Sequence, residues 1–148
     1  MNYKILGRTG VKVSELCYGT MAFGGDADEA TSEQMYRRIR ELGINFLDTA
    51  NVYSKGRSEQ ILGQLIKGER DELVVTSKVC GAMGDDPNDR GLSRRHIMQA
   101  IEASLTRLQT DRLDFYFVHN FDKATPVEDT LSALDDLVRQ GKILYPAV

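Results

Sequence analysis

Short apolar runs alternate along this chain with longer stretches in which apolar residues recur every third or fourth position. The runs Leu16–Gly19, Ile44–Asp48, Leu73–Lys78 and Leu113–Val118 predict strands, each short and each rich in β-branched or aromatic residues. Between them the spacing changes to that of helices. Thr31-Ser32-Glu33-Gln34 has capping-box spacing, Met35, Ile39 and Leu42 then share one face, and Gly43 supplies a stop. Ser58 is placed to cap a helix carrying Ile61, Leu62, Leu65 and Ile66. Ser93 does the same for Ile97, Ile101, Leu105 and Leu108, with His96 expected to face outward in the first turn. Thr125-Pro126-Val127-Glu128 opens a last helix with a buried stripe of Leu131, Leu134, Leu137 and Val138. Ahead of all this, Tyr3–Leu6 and Val11–Ser14 flank Gly7-Arg8-Thr9-Gly10 and predict a β-hairpin.

Four strand-then-helix units in succession call for a parallel sheet, either doubly wound or curled into a barrel. No Gly-x-Gly-x-x-Gly turn follows the first strand, which argues against a dinucleotide-binding doubly wound domain. A hairpin before the first strand suits the floor of a barrel. The expectation is therefore an α/β fold of (β/α)8 TIM-barrel type, with only the first four βα units plus the N-terminal hairpin in residues 1–148. A closed barrel of this type takes about 250 residues. Half a barrel leaves strand edges and an inner face open, so self-association through those edges is a further expectation, as is truncation of a longer parent.

Composition narrows the classes without choosing among them. At 41% hydrophobic and 28% charged residues the chain reads as soluble and globular. A net charge of −3 offers no basic stripe to nucleic acid or anionic lipid. No apolar run approaches the roughly 20 residues of a membrane span, and no signal peptide opens the chain, so a cytoplasmic protein is expected. Cys17 and Cys80 lack CxxC or Cys/His spacing and are expected to be free thiols, with no metal site.

The candidate chemistry sits at strand ends. Asp48, Lys78 and His119 each close a predicted strand, and Tyr53 follows Asp48 by five residues. In parallel α/β folds the carboxyl ends of the strands form one rim, so these four side chains should meet there. Singly, each has an ordinary structural use: Asp48 on loop amides, Lys78 solvated, Tyr53 over a loop, His119 at the rim of the core. Together they make a different kind of group. A phenol titrates near ~10 and is a weak acid at neutral pH, but a cation against its oxygen strengthens it, and a carboxylate holds that cation in place. A proton donor beside an imidazole that can bind an oxygen suits carbonyl reduction or alcohol oxidation. It suits hydrolysis less, because no nucleophile elbow and no facing pair of carboxylates is evident.

Gly19-Thr20-Met21, Phe46-Leu47-Asp48-Thr49-Ala50-Asn51-Val52-Tyr53, Ser58-Glu59, Thr76-Ser77-Lys78 and Leu113 to Asn120 resemble the aldo-keto reductase superfamily, continuously from residue 3 to about residue 145. The resemblance implies an NADPH-dependent oxidoreductase that reduces small-molecule aldehydes or ketones, with Tyr53 as general acid, Lys78 and Asp48 tuning it and His119 orienting the substrate. It further implies Gly19, Thr20, Met21 and Asp48 near the cofactor, and Phe23, Tyr53, His119 and Asn120 at the substrate. It also admits a second reading, a non-catalytic cofactor-binding or regulatory subunit like the β subunits of voltage-gated potassium channels, and a third, an inactive truncated product. One departure stands out: the family continues Gly-Lys-x-x-x-Ile-Gly-Val-Ser-Asn, whereas here Tyr145 is followed by Pro146, which is poorly suited to a central strand.

Overall fold

A computed structural model describes all residues 1–148. The hairpin forms from β1 (Tyr3–Ile5) and β2 (Lys12–Ser14), which pair antiparallel with Tyr3 opposite Ser14. Gly7 and Gly10 take the left-handed backbone that its turn requires (φ 56° and 78°). Five strands then build one parallel sheet in chain order: β3 (Cys17–Gly19), β4 (Phe46–Asp48), β5 (Val74–Val79), β6 (Leu113–Val118) and β7 (Ile143–Ala147). The helices between them are α1 (Glu29–Glu41), α2 (Arg57–Ile66), α3 (Arg94–Leu108) and α4 (Val127–Arg139). Strands in sequence order, with a helix between each successive pair, are the opening part of a (β/α)8 barrel.

Strand alternation divides the apolar residues between two faces. Leu47, Val75, Val79 and Tyr116 join Ile61, Leu62, Ile97, Ile101, Leu134 and Leu137 in the large core between sheet and helices. Burying each such Leu or Ile contributes about 1.5–3 kcal/mol. Val74, Phe115, Phe46, Phe117 and Tyr145 occupy the other face, packed with Val13, Leu6 and Val11 of the hairpin. Asn45 ties the hairpin to the start of β4, accepting from Ser14 N (2.7 Å) and donating to Lys12 O (3.2 Å). That contact fixes the hairpin at the amino-terminal ends of the strands and leaves the opposite rim open.

Helix rotation departs from expectation in three places. Asp28 caps α1, its carboxylate accepting from Thr31 N, in place of the expected Thr31 cap. The buried face of α1 is Ser32, Tyr36 and Ile39, while Met35 and Leu42 are exposed. The Tyr36 hydroxyl, bonded to Glu69, and the Arg40–Glu69 pair set this rotation. On α4, Leu131 is exposed and Thr130, Ala133, Leu134 and Leu137 are buried. Ser93 does cap α3 through His96 N, but the His96 ring is only 2% exposed and neither nitrogen has a hydrogen-bond partner. Burial, opposed by the Asp89 carboxylate, holds its pKa below the usual imidazole range.

Residues after Gly141 form a fifth strand, and Pro146 lies within it opposite Tyr116. β7 is an outer strand of the sheet, which is where proline is tolerated. The Lys142 carbonyl accepts from Leu113 N, so alternate residues 142, 144 and 146 turn their backbone groups toward β6. Proline at 146 therefore withholds a donor on the inner side, and the β6–β7 ladder is weaker toward the rim.

Candidate active site

Register places the site. Gly19, Asp48 and Thr76 stand side by side across β3, β4 and β5, and Lys78 lies two residues further along β5 on the same face. Lys78 Nζ donates to Asp48 Oδ2 (2.5 Å), to the Thr49 carbonyl (2.8 Å) and to the Tyr53 hydroxyl oxygen (3.1 Å). An ammonium has three protons, so all of them are engaged. The Lys78 and Asp48 side chains are 13% and 26% exposed, enough shelter for the pair to interact more strongly than in open water. Asp48 is held from its other oxygen by the Thr76 hydroxyl (2.6 Å). Sequence reasoning passed over Thr76, although period-2 alternation back from Lys78 puts it on the same face.

Tyr53 opens a short turn, Tyr53–Gly56, in which Ser54 and Lys55 adopt left-handed backbone (φ 48° and 52°) ahead of Gly56 (φ 88°). The Tyr53 oxygen accepts from Lys78, and its own proton goes to no group of the chain. His119, just past β6, sets its ring edge-on to Tyr53 with centroids 6.0 Å apart and planes at 83°. Burial and the Lys78 ammonium depress the His119 pKa, with the Asp48 carboxylate opposing, so the ring is neutral at pH 7. Its Nδ1 is buried without a partner. The four expected residues thus share one rim.

The remaining expected contacts divide. Gly19 is exposed, and a Cβ placed there would meet nothing within 4 Å. Met21 is 68% exposed and Asn120 is also exposed. Thr20 is fully buried, its side chain turned inward to Ser58, so it offers a ligand no hydroxyl at the rim. Phe23 is 1% exposed and packs against Tyr18 (6.1 Å between rings), so its ring is turned into the core and not out at the rim. Ser58 is not the cap of α2, a place taken by Gly56, but the centre of a buried hydroxyl cluster. Behind β5 the buried Glu59 carboxylate accepts from Ser77 (2.6 Å) and Arg107 (2.6 Å). A cleft of about 620 Å³ runs between the loops after β5 and β6, lined by Arg90, Phe121 and Lys123 among others but by none of Asp48, Tyr53, Lys78 or His119. Asp122 staples those loops together through Leu92 N, Ala124 N and the Thr125 hydroxyl.

Comparison with known proteins gives a consistent picture. The model of the Aldo/keto reductase family matches residues 15–148. A probable voltage-gated potassium channel subunit beta of Oryza sativa subsp. japonica is 40% identical, over 98% of this chain and 45% of its own length. The uncharacterized oxidoreductase YrpG of Bacillus subtilis (strain 168) is 42% identical, over 98% of this chain and 48% of its own. The aldo-keto reductase AKR11C1 from Bacillus halodurans, solved in a holo form, superposes with a TM-score of 0.87 at 34% identity, covering 99% of this chain and 50% of that one. The thermostable aldo-keto reductase Tm1743, solved with the inhibitor epalrestat, gives 0.86 at 34% identity, covering 99% and 53%. The chain spans about half the length of the relatives it matches. No helix is long and apolar enough to cross a membrane.

Proposed function

The chain belongs to the aldo/keto reductase family, and from that premise we propose that its rim cluster serves an oxidoreductase reducing aldehydes or ketones to alcohols with NADPH. The observation that carries this is the single lysine bonded at once to Asp48, Thr49 and Tyr53. The residues present fit a nicotinamide: Gly19 leaves open space beside Asp48, where a side chain would otherwise project. When bound, the reduced nicotinamide would deliver hydride to the carbonyl carbon. Tyr53 gives the carbonyl oxygen the proton that no group of the chain holds. Lys78 then stabilises the phenolate left behind, and Asp48, fixed by Thr76, keeps the ammonium from swinging away. Neutral His119, edge-on to Tyr53, steadies the same oxygen by a hydrogen bond. NADPH over NADH, and the carbonyl class, rest on the family alone.

The relative bearing the channel-subunit name favours a second reading, a regulatory subunit that binds cofactor and a partner protein. Fluorescence titration with NADPH, followed by a carbonyl-reduction assay, separates the two. Binding with turnover supports the reductase, binding without turnover supports the subunit, and no binding overturns both for these residues alone.

A further inference from the structure

Ser58 is fully buried, and its hydroxyl meets three groups from two other segments. It donates to the Thr20 carbonyl (2.7 Å) and stands 2.8 Å from the Thr20 hydroxyl and 3.1 Å from the Thr49 hydroxyl. The Ser58 proton goes to the Thr20 carbonyl, so the Thr49 hydroxyl donates to Ser58 Oγ, while the single Thr20 hydroxyl proton is divided between Ser58 Oγ and the Asp48 carbonyl (3.2 Å). It joins the loop after β3, the residue after β4 and the first turn of α2. Thr49 is bound twice more: its amide donates to the Thr76 carbonyl, and its own carbonyl takes one of the three Lys78 protons. Thr20 is bound to the same strand end, its amide donating to the Asp48 carbonyl.

We propose that Ser58 is a positioning residue: through the Thr49 side chain it fixes the carbonyl that orients the Lys78 ammonium, and so holds the lysine against Tyr53. Ser58 itself touches none of the reacting groups. The inference rests on the reading of Lys78 as the group that steadies the Tyr53 oxygen, but it needs neither cofactor nor turnover to be tested. Without the Ser58 hydroxyl, the Thr49 hydroxyl loses its partner in a site closed to water, while the Thr20 hydroxyl keeps the Asp48 carbonyl. A freed Thr49 hydroxyl then competes for nearby carbonyls, and its peptide shifts.

The test is nitrogen-detected NMR of the lysine ammonium groups in the 148-residue chain. Three hydrogen bonds should slow proton exchange at Lys78 enough for its ammonium signal to be seen at neutral pH, assigned by its absence in Lys78→Met. Ser58→Ala should speed that exchange roughly tenfold, the scale of one lost hydrogen bond, while methyl spectra show the fold intact. Should Ser58→Ala unfold, the pair Thr49→Val and Thr49→Ser decides. Val keeps the shape but loses the hydroxyl and should speed exchange, whereas Ser keeps the hydroxyl and should not. Unchanged exchange in folded Ser58→Ala or in Thr49→Val overturns the proposal, as does an unprotected Lys78 ammonium in the parent chain. A chain that fails to bind NADPH yet shows the expected exchange pattern would remove the reductase reading and leave this one standing.

Discussion

Lys78 Nζ stands 3.1 Å from the Tyr53 hydroxyl oxygen and 4.8 Å from the centre of the Tyr53 ring. The ammonium therefore lies past the hydroxyl, held by the oxygen's lone pairs rather than by the ring face. Tyr53→Phe removes the oxygen and keeps the ring. It is expected to lower carbonyl reduction by roughly 10²- to 10⁴-fold, the scale of a lost general acid, with nicotinamide affinity nearly unchanged. Steady-state rates and fluorescence titration measure the two separately, and undiminished turnover would remove Tyr53 from the mechanism.

The Glu59 carboxylate is completely buried and neutralised by Arg107. Removing one partner strands the other charge, a loss of about 3–5 kcal/mol for a well-buried pair. Glu59→Ala should fall in that range in urea denaturation, because Ser77 loses its acceptor as well. Replacing Glu59 and Arg107 together by residues of similar shape should cost less than the sum of the single changes.

Gly63 marks the close crossing of α2 and α3. A Cβ there would sit 2.6 Å from the carbonyl oxygens of Arg107 and Leu108, which are backbone and cannot swing aside. Gly63→Ala is thus expected to destabilise by about 1–3 kcal/mol despite its better helix propensity. A neutral or raised melting temperature would contradict the crossing described.

Lys55 is exposed and holds left-handed backbone (φ 52°, ψ 44°). That conformation costs a non-glycine residue about 1–2 kcal/mol, against the roughly 0.5–1 kcal/mol of added chain entropy that glycine loses on folding. Lys55→Gly should accordingly stabilise by about 1 kcal/mol or less. A drop in the denaturation midpoint would show that Lys55 makes a contact worth more than its strain.

Both histidines have depressed pKa values in the fold, each chiefly through burial. Above about 6.5 they are neutral folded or unfolded, and nothing depends on pH. As pH falls through that value the unfolded chain takes up protons that the folded chain resists, so stability declines. Urea midpoints should drop between pH 7 and pH 5.5, and His96→Asn should blunt the drop. Asp122, held below the ordinary carboxylate range by the Leu92 and Ala124 amides and the Thr125 hydroxyl, adds a separate loss at lower pH, near and below about 4.

Strand ends were legible in the chain because a strand's period and its stop are local properties. Asp48, Lys78 and His119 could be placed on one rim from their positions alone, and parallel pairing did the rest. Helix rotation was not legible in the same way. Met35, Leu42 and Leu131 are spaced as core residues yet lie outside, because the bonding of Tyr36 and Arg40 to Glu69 and the seating of Thr130 turn those helices a fraction of a turn. His96 faces inward and Phe23 is sealed in the core for the same reason: long-range packing decides which way a side chain points. The Ser58 cluster depends on three segments up to 38 residues apart, and spacing along one helix carries no trace of it.

A lysine whose every proton is already committed to the scaffold has nothing left with which to tell one incoming molecule from another. If the cluster serves as proposed, discrimination among incoming molecules falls to groups other than Lys78.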